Sequence, residues 1–154
     1  MVLDHKHIAL FIPLALFSAC NADDSALLSY QHTLQVGLYS VHTQNDTVLT
    51  DVKVYGIGRE DSMLYDVESA SSFYLNLNLS RCTTEFVIQT QTLQDNIFIR
   101  YDKELEPVSG SSGIAMEISV DSIGHTKTFI DSVSIVHKTI KYNESLENAR
   151  FFVY

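Results

Sequence analysis

The sequence predicts an all-β protein: an antiparallel β-sandwich of about eight strands, preceded by a signal peptide and a short tether. Three observations carry that expectation. Apolar residues recur at every second position in one short segment after another, the period of a half-buried strand. Clusters of Asn, Asp, Ser and Gly divide these segments at regular intervals. No long stretch shows the 3.6-residue period of an amphipathic helix. The composition agrees, since 45% hydrophobic and 19% charged residues in 154 make an ordinary single globular domain.

The first element is not part of the domain. Lys6 is the fixed positive charge near the start, and Ile8 to Phe17 then run without a charge. That apolar run is too short to span a bilayer as a helix, which takes ~20 residues. A charged start, a short apolar core and small residues after it make a secretory signal. Ser18 and Ala19 are those small residues, and Cys20 follows at once. The arrangement resembles a bacterial lipobox, with Phe17 where Leu is usual. The resemblance implies cleavage before Cys20, removal of residues 1–19, and acylation of Cys20. Several acyl chains, at ~0.8 kcal/mol per buried CH₂, would hold the protein on a membrane.

Residues 20–31 read as a flexible acidic tether. Asn21-Ala22-Asp23-Asp24-Ser25 resembles the export signal that sends lipoproteins of Bacteroidota to the outer face of the outer membrane. A solvated acidic leash facing the periplasm accounts for the same residues, so the face of the membrane stays open.

Residues 32–154 form the β-sandwich domain. Leu34, Val36 and Leu38 alternate with Gln35, Gly37 and Tyr39; Gly37 there suggests a bulge or a close backbone contact. Val52, Val54 and Gly56 make the second strand. Phe73, Leu75, Leu77 and Leu79 alternate with Tyr74, Asn76, Asn78 and Ser80, the clearest strand of the chain. Phe86 and Ile88, then Ile97, Ile99 and Tyr101, then Ile114, Met116, Ile118 and Val120 follow. Val133 with Ile135, and Phe151 with Val153, close the series. Leu75, Leu77, Ile99, Ile118 and Ile135 are the expected core. Turns are read at 44–46, 58–61, 94–96, 109–113, 121–124 and 143–144, and the longest loops at Ser40–Thr50 and Arg59–Ser72.

Three blocks carry a wider resemblance. They are Val54-Tyr55-Gly56-Ile57-Gly58 followed by Asp61-Ser62-Met63-Leu64-Tyr65; Tyr74-Leu75-Asn76-Leu77-Asn78; and Phe129-Ile130-Asp131-Ser132-Val133-Ser134-Ile135-Val136. With the lipobox they look like a family of small uncharacterised lipoproteins of Bacteroidota. Such relatives tend to have Cys-Gly where this chain has Ser112-Gly113, and the family brings no reaction with it.

The residues themselves point to no catalytic chemistry. There is no Gly-x-Ser-x-Gly, no His-Glu-x-x-His and no Cys-x-x-Cys pair. His32, His42, His125 and His137 share no metal-ligand spacing, so no metal and no cofactor is expected. Cys82 has no disulfide partner once Cys20 is acylated. The net charge of −9 argues against nucleic acid as partner, because phosphate binding needs clustered Lys and Arg.

Two further patterns each allow two readings. Tyr55, Tyr74 and Tyr101 could form a platform for sugar rings, or could cap the core with their hydroxyls in water. Asp followed by Ser or Thr and a small or aliphatic residue occurs at Ser25, Thr47, Ser62, Ser122 and Ser132. This is similar to the O-glycosylation acceptor motif of exported Bacteroidota proteins. It is also good turn chemistry before a strand.

The expected function is therefore that of a non-catalytic cell-envelope lipoprotein. It would sit on the outer membrane through acylated Cys20 and bind another outer-membrane protein. A glycan-binding surface lipoprotein is the alternative, and a hydrolase with an unrecognised site a third.

Overall fold

The computed structural model describes residues 32–107, 114–141 and 145–154. Cys20, Ser25, the signal, the tether and Ser112-Gly113 lie outside the described residues. So do the expected turns at 109–113 and 143–144.

Ten strands follow one another: β1 (Thr33–Ser40), β2 (Leu49–Gly56), β3 (Met63–Ala70), β4 (Ser72–Asn76), β5 (Thr83–Gln89), β6 (Gln94–Pro107), β7 (Ile114–His125), β8 (Ile130–Ile135), β9 (Thr139–Ile140) and β10 (Ala149–Val153). They make two sheets, β4-β1-β10-β8 and β3-β2-β5-β6-β7-β9. The all-β expectation holds. Ten strands stand where about eight were expected, because β3 occupies the stretch read as a loop and β9 adds a two-residue strand. The pairing is not wholly antiparallel. β1 and β10, the first and last strands, run parallel in the middle of the smaller sheet, with Leu38 opposite Phe151.

Alternation explains the two-layer form. Leu34, Val36 and Leu38 of β1, Phe73 and Leu75 of β4, and Phe151 and Val153 of β10 face one way and are buried. Val52, Val54, Phe86, Ile88, Ile97, Ile99, Ile118 and Val120 of the larger sheet meet them in one apolar cluster. Burying each such side chain is worth roughly 1.5–3 kcal/mol, set against the entropy of ordering the chain. Leu75, Leu77, Ile99 and Ile118 are in the core as expected, while Ile135 is only half-buried at the end of edge strand β8.

Register shifts mark the departures from the expected pattern. Tyr101 pairs with Val120 but Ile99 with Ile123, so β7 holds one extra residue opposite the Arg100–Tyr101 step. The inward positions of β7 therefore change parity between Val120 and Ile123. That break made Asp121–Gly124 read as a turn, although the strand runs through it as a bulge. Gly37 is no bulge, since its pairing is continuous with both β4 and β10. It is a close contact: a Cβ there would collide with the Glu147 carboxylate and lie 2.9 Å from the Tyr39 ring.

Asp95 crosses between the layers. It is fully buried, in the inward register of Ile97 and Ile99. Its Oδ1 accepts from Thr126 Oγ1 at 2.5 Å and Thr128 N at 2.8 Å. Its Oδ2 accepts from Phe129 N and Ile130 N, both at 2.8 Å. These donors lie on the segment that carries the chain from β7 in one sheet to β8 in the other. Burial pushes the carboxyl upward, but the four hydrogen bonds outweigh it and hold the group below the usual carboxylate range.

Candidate functional site

β3 and β4 are each an edge strand of one sheet, and contacts between them set both on the same side of the sandwich. Tyr65 of β3 closes that side. Its ring packs edge-on against Phe73, with centroids 5.4 Å apart, and its hydroxyl accepts from Tyr74 N of β4 at 2.8 Å. At the end of the sandwich formed by the β2–β3 and β4–β5 connections, a groove of about 640 Å³ opens.

Local sequence builds each wall. In the β2–β3 connection Arg59 N donates to Gly56 O at 2.9 Å and Ser62 N to Arg59 O at 3.0 Å, two turns in succession. Gly58 takes φ +74° between them, a left-handed conformation that favours glycine. The Arg59 stem folds over Gly56, and the residue lines the groove. Tyr55 pairs with Met63 but Val54 with Tyr65, so Leu64 is an extra residue in β3, and it lines the groove. Bulges re-aim side chains in this way.

The opposite wall is the β4–β5 connection, and Asn78 holds it. Asn78 Oδ1 accepts from Ser80 N at 2.9 Å, and Asn78 N donates to Thr84 Oγ1 at 2.8 Å. Asn78 O accepts from the Tyr101 hydroxyl at 2.7 Å. That hydroxyl has one proton, so in its 2.7 Å contact with Thr84 the threonine is the donor. Lys103 Nζ donates to Leu79 O at 2.7 Å and ties down the same loop. Arg81 stands on this braced turn, with its own N–H on Asn78 O at 3.2 Å. Burial pushes the Tyr101 phenol above its ordinary value. It stays a neutral donor at any physiological pH.

The lining is amphipathic. Leu77 and Phe86 are buried at its base, and Ile57 and Leu64 are partly exposed beside them. Around them stand Arg59, Arg81, Asn76, Asn78, Ser62 and Glu85. The ion pairs among the described residues are Lys141–Glu117 and Arg150–Glu147, so both groove arginines keep their guanidinium groups free of a carboxylate. Asn76 receives the Thr33 hydroxyl on Oδ1 at 3.1 Å, which leaves its amide hydrogens for another partner. The chemistry on offer is recognition of an acceptor-rich group beside an apolar one.

The groove also adjoins the start of the domain. Leu77 N donates to His32 O at 2.8 Å, and Thr33 pairs with Asn76.

The residues singled out by sequence are scattered. Thr47 is half-buried beside β1, and its N–H donates to Leu38 O at 2.9 Å. Ser62 is exposed in the turn before β3 and lines the groove. Ser122 and Ser132 are exposed but lie inside β7 and β8, not in turns. The tyrosine platform does not form, because Tyr55 and Tyr101 are buried and of the three only Tyr74 is exposed. The Tyr101 hydroxyl reaches Asn78 O, not water. His125 contacts Asp131 O at 3.2 Å and His137 contacts Glu147 O at 2.8 Å. His42 lies against Tyr154 with ring centroids 6.2 Å apart. Among the described residues no group of three or more His, Cys, Asp or Glu is placed to hold a metal ion. Cys82 is free and exposed between groove residues Arg81 and Thr83.

Sequence reasoning missed Arg59, Arg81 and Asp95. Arg59 sits in a connection read only as a turn and Arg81 in a stretch given no reading, and nothing in the chain order says that those connections meet. Asp95 does carry a signal, since it stands two residues before Ile97 in the inward register.

No curated protein and no solved structure matches the chain. A family of unknown function (DUF6452) matches it over residues 51–153, from within β2 to the end of β10, which includes the whole groove lining. That match takes in well over half of the chain, and the protein belongs to this family of unknown function, DUF6452.

Proposed function

We propose that the protein is a non-catalytic binding module of the cell envelope, resembling the small lipoproteins of Bacteroidota, anchored to the outer membrane by acylated Cys20. Its task is to hold another outer-membrane component. The observation that carries this reading is the groove between the β2–β3 and β4–β5 connections. It has braced walls, an apolar base, and two arginines with no carboxylate partner. Binding sites are commonly built on connections held by a rigid scaffold, and bracing lowers the entropy lost on association.

Position supports the same reading. The groove adjoins His32 and Thr33, where the tether joins the domain. Residues 20–31 reach at most ~40 Å when fully extended at ~3.4 Å per residue. An acylated Cys20 would therefore keep the groove close to the membrane surface, within reach of a partner embedded there. The glycan-binding alternative loses its support with the buried Tyr55 and Tyr101.

The test combines two variants in the native cell. Cys20→Ala should leave the membrane fraction or accumulate as uncleaved precursor. A photo-crosslinking residue at Ser62 in the groove should trap an outer-membrane protein that the same residue at Ser134 of β8 does not. A Cys20→Ala protein that matures and fractionates like wild type removes the anchor. Equal adducts from Ser62 and Ser134 remove the groove.

A further inference from the structure

We infer that the groove takes an extended acidic peptide segment of its partner, with carboxylates on Arg59 and Arg81 and aliphatic side chains against Ile57 and Leu64. This rests on the binding-module reading and names the ligand class for the same site.

Charge is the first argument. The chain carries 10 Lys and Arg against 19 Asp and Glu, so a surface with two unpaired guanidinium groups runs against the general balance. Arg150 shows what the chain does with an arginine it uses internally: its Nε donates to Glu147 Oε1 at 2.6 Å. Arg59 and Arg81 have no such carboxylate, and a planar guanidinium is suited to receive one from outside. Glu85 in the same lining disfavours a dense polyanion such as a nucleic acid or a polyphosphate, while single carboxylates can avoid it.

The second argument is the apolar base, which separates a peptide from an acidic sugar. Sugar recognition relies on an exposed aromatic face. The aromatic residue of the lining is Phe86, buried to 3% exposure at the base. Leu64 and Ile57, at 37% and 42% exposure, suit aliphatic side chains. The third argument is the free edge. β3 is paired only with β2, so before Tyr65 crosses to β4 the outer backbone at Met63 and Leu64 has no strand partner, and Leu64 brings that short edge into the groove. An added strand is held by main-chain hydrogen bonds, while pockets for alternate side chains set its specificity.

The experiment uses the full mature chain and rhodamine-labelled probes followed by fluorescence anisotropy. The probes are an octapeptide of alternating Glu and Val, its Lys–Val counterpart, a Ser–Val counterpart, and oligogalacturonate. The acidic peptide should bind, and more weakly as salt is raised, because exposed ion pairs are screened. Arg59→Gln and Arg81→Gln should each weaken it about tenfold, the loss expected of one charge-assisted contact. Arg100→Gln, on the outer face of β6, should leave it unchanged. Tight binding of the Lys–Val or Ser–Val peptide instead overturns the acidic ligand class but leaves the groove as a binding site. Binding of oligogalacturonate in preference to the peptide makes the ligand a glycan. Failure of every probe, or acidic-peptide binding indifferent to both arginine substitutions, overturns the groove as the site.

Discussion

Asp95→Asn is the sharpest test of how the two sheets are joined. The substitution keeps the shape of the side chain and replaces one acceptor oxygen by an NH₂ donor. Placed on the Oδ2 side, that NH₂ would face Phe129 N and Ile130 N and leave both amides without an acceptor. Placed on the Oδ1 side, it faces Thr126 Oγ1, which can turn round and accept, and Thr128 N, which cannot. The second arrangement is cheaper. One orphaned amide costs about 1–3 kcal/mol, and the two bonds that remain each lose about 1 kcal/mol with the charge. The total is about 3–5 kcal/mol, a large part of the ~5–15 kcal/mol that holds a typical domain together. With a urea m-value of about 1.5 kcal/mol per molar, the unfolding midpoint should fall by about 2–3 M.

Titration gives an independent check of the same prediction. The folded-state pKa of Asp95 lies below its unfolded value, so its contribution is complete above the ordinary carboxylate pKa of ~3.9 and is lost as pH falls through the lowered folded value. The stability gap between wild type and Asp95→Asn should therefore close on acidification. A gap below about 0.5 kcal/mol at neutral pH, or one equally wide at pH 7 and at about pH 2.5, refutes the reasoning.

Two further outcomes are expected. Gly37→Ala should cost about 1–3 kcal/mol, because the new methyl must displace a Glu147 carboxylate held by the Tyr39 hydroxyl at 2.8 Å and Arg150 at 2.6 Å. In a Glu147→Ala background that cost should shrink by at least half, and an unchanged cost in the double-mutant cycle shows that the collision is elsewhere. His32 is buried with neither ring nitrogen hydrogen-bonded, and burial holds its pKa below the usual 6.5. The unfolded chain therefore binds its proton first, and stability should decline as pH falls below ~6.5. His32→Leu should flatten the urea midpoint between pH 7 and pH 5, and a parallel decline in both proteins counts against the assignment.

Local alternation was enough to determine the fold class and most of the core. Leu34, Val36, Phe73, Leu75, Ile97 and Ile99 each announce a face, because the period of a strand is two and one face must leave water. Three kinds of feature were decided only by tertiary structure. β3 was invisible because an edge strand buries little, and Met63–Ala70 has no clean alternation to read. The bulge opposite Arg100–Tyr101 shifted the parity of β7, which a period-two reading can only take as a turn. The groove depends on two connections separated by the whole of β3 and β4, and a pattern confined to neighbouring residues carries no record of that meeting. Arg59 and Arg81 read singly as ordinary charged residues between strands. They become a site because Gly58 folds one connection back and Asn78 braces the other, and it is the pairing of strands far apart in sequence that sets the two in the lining of one groove.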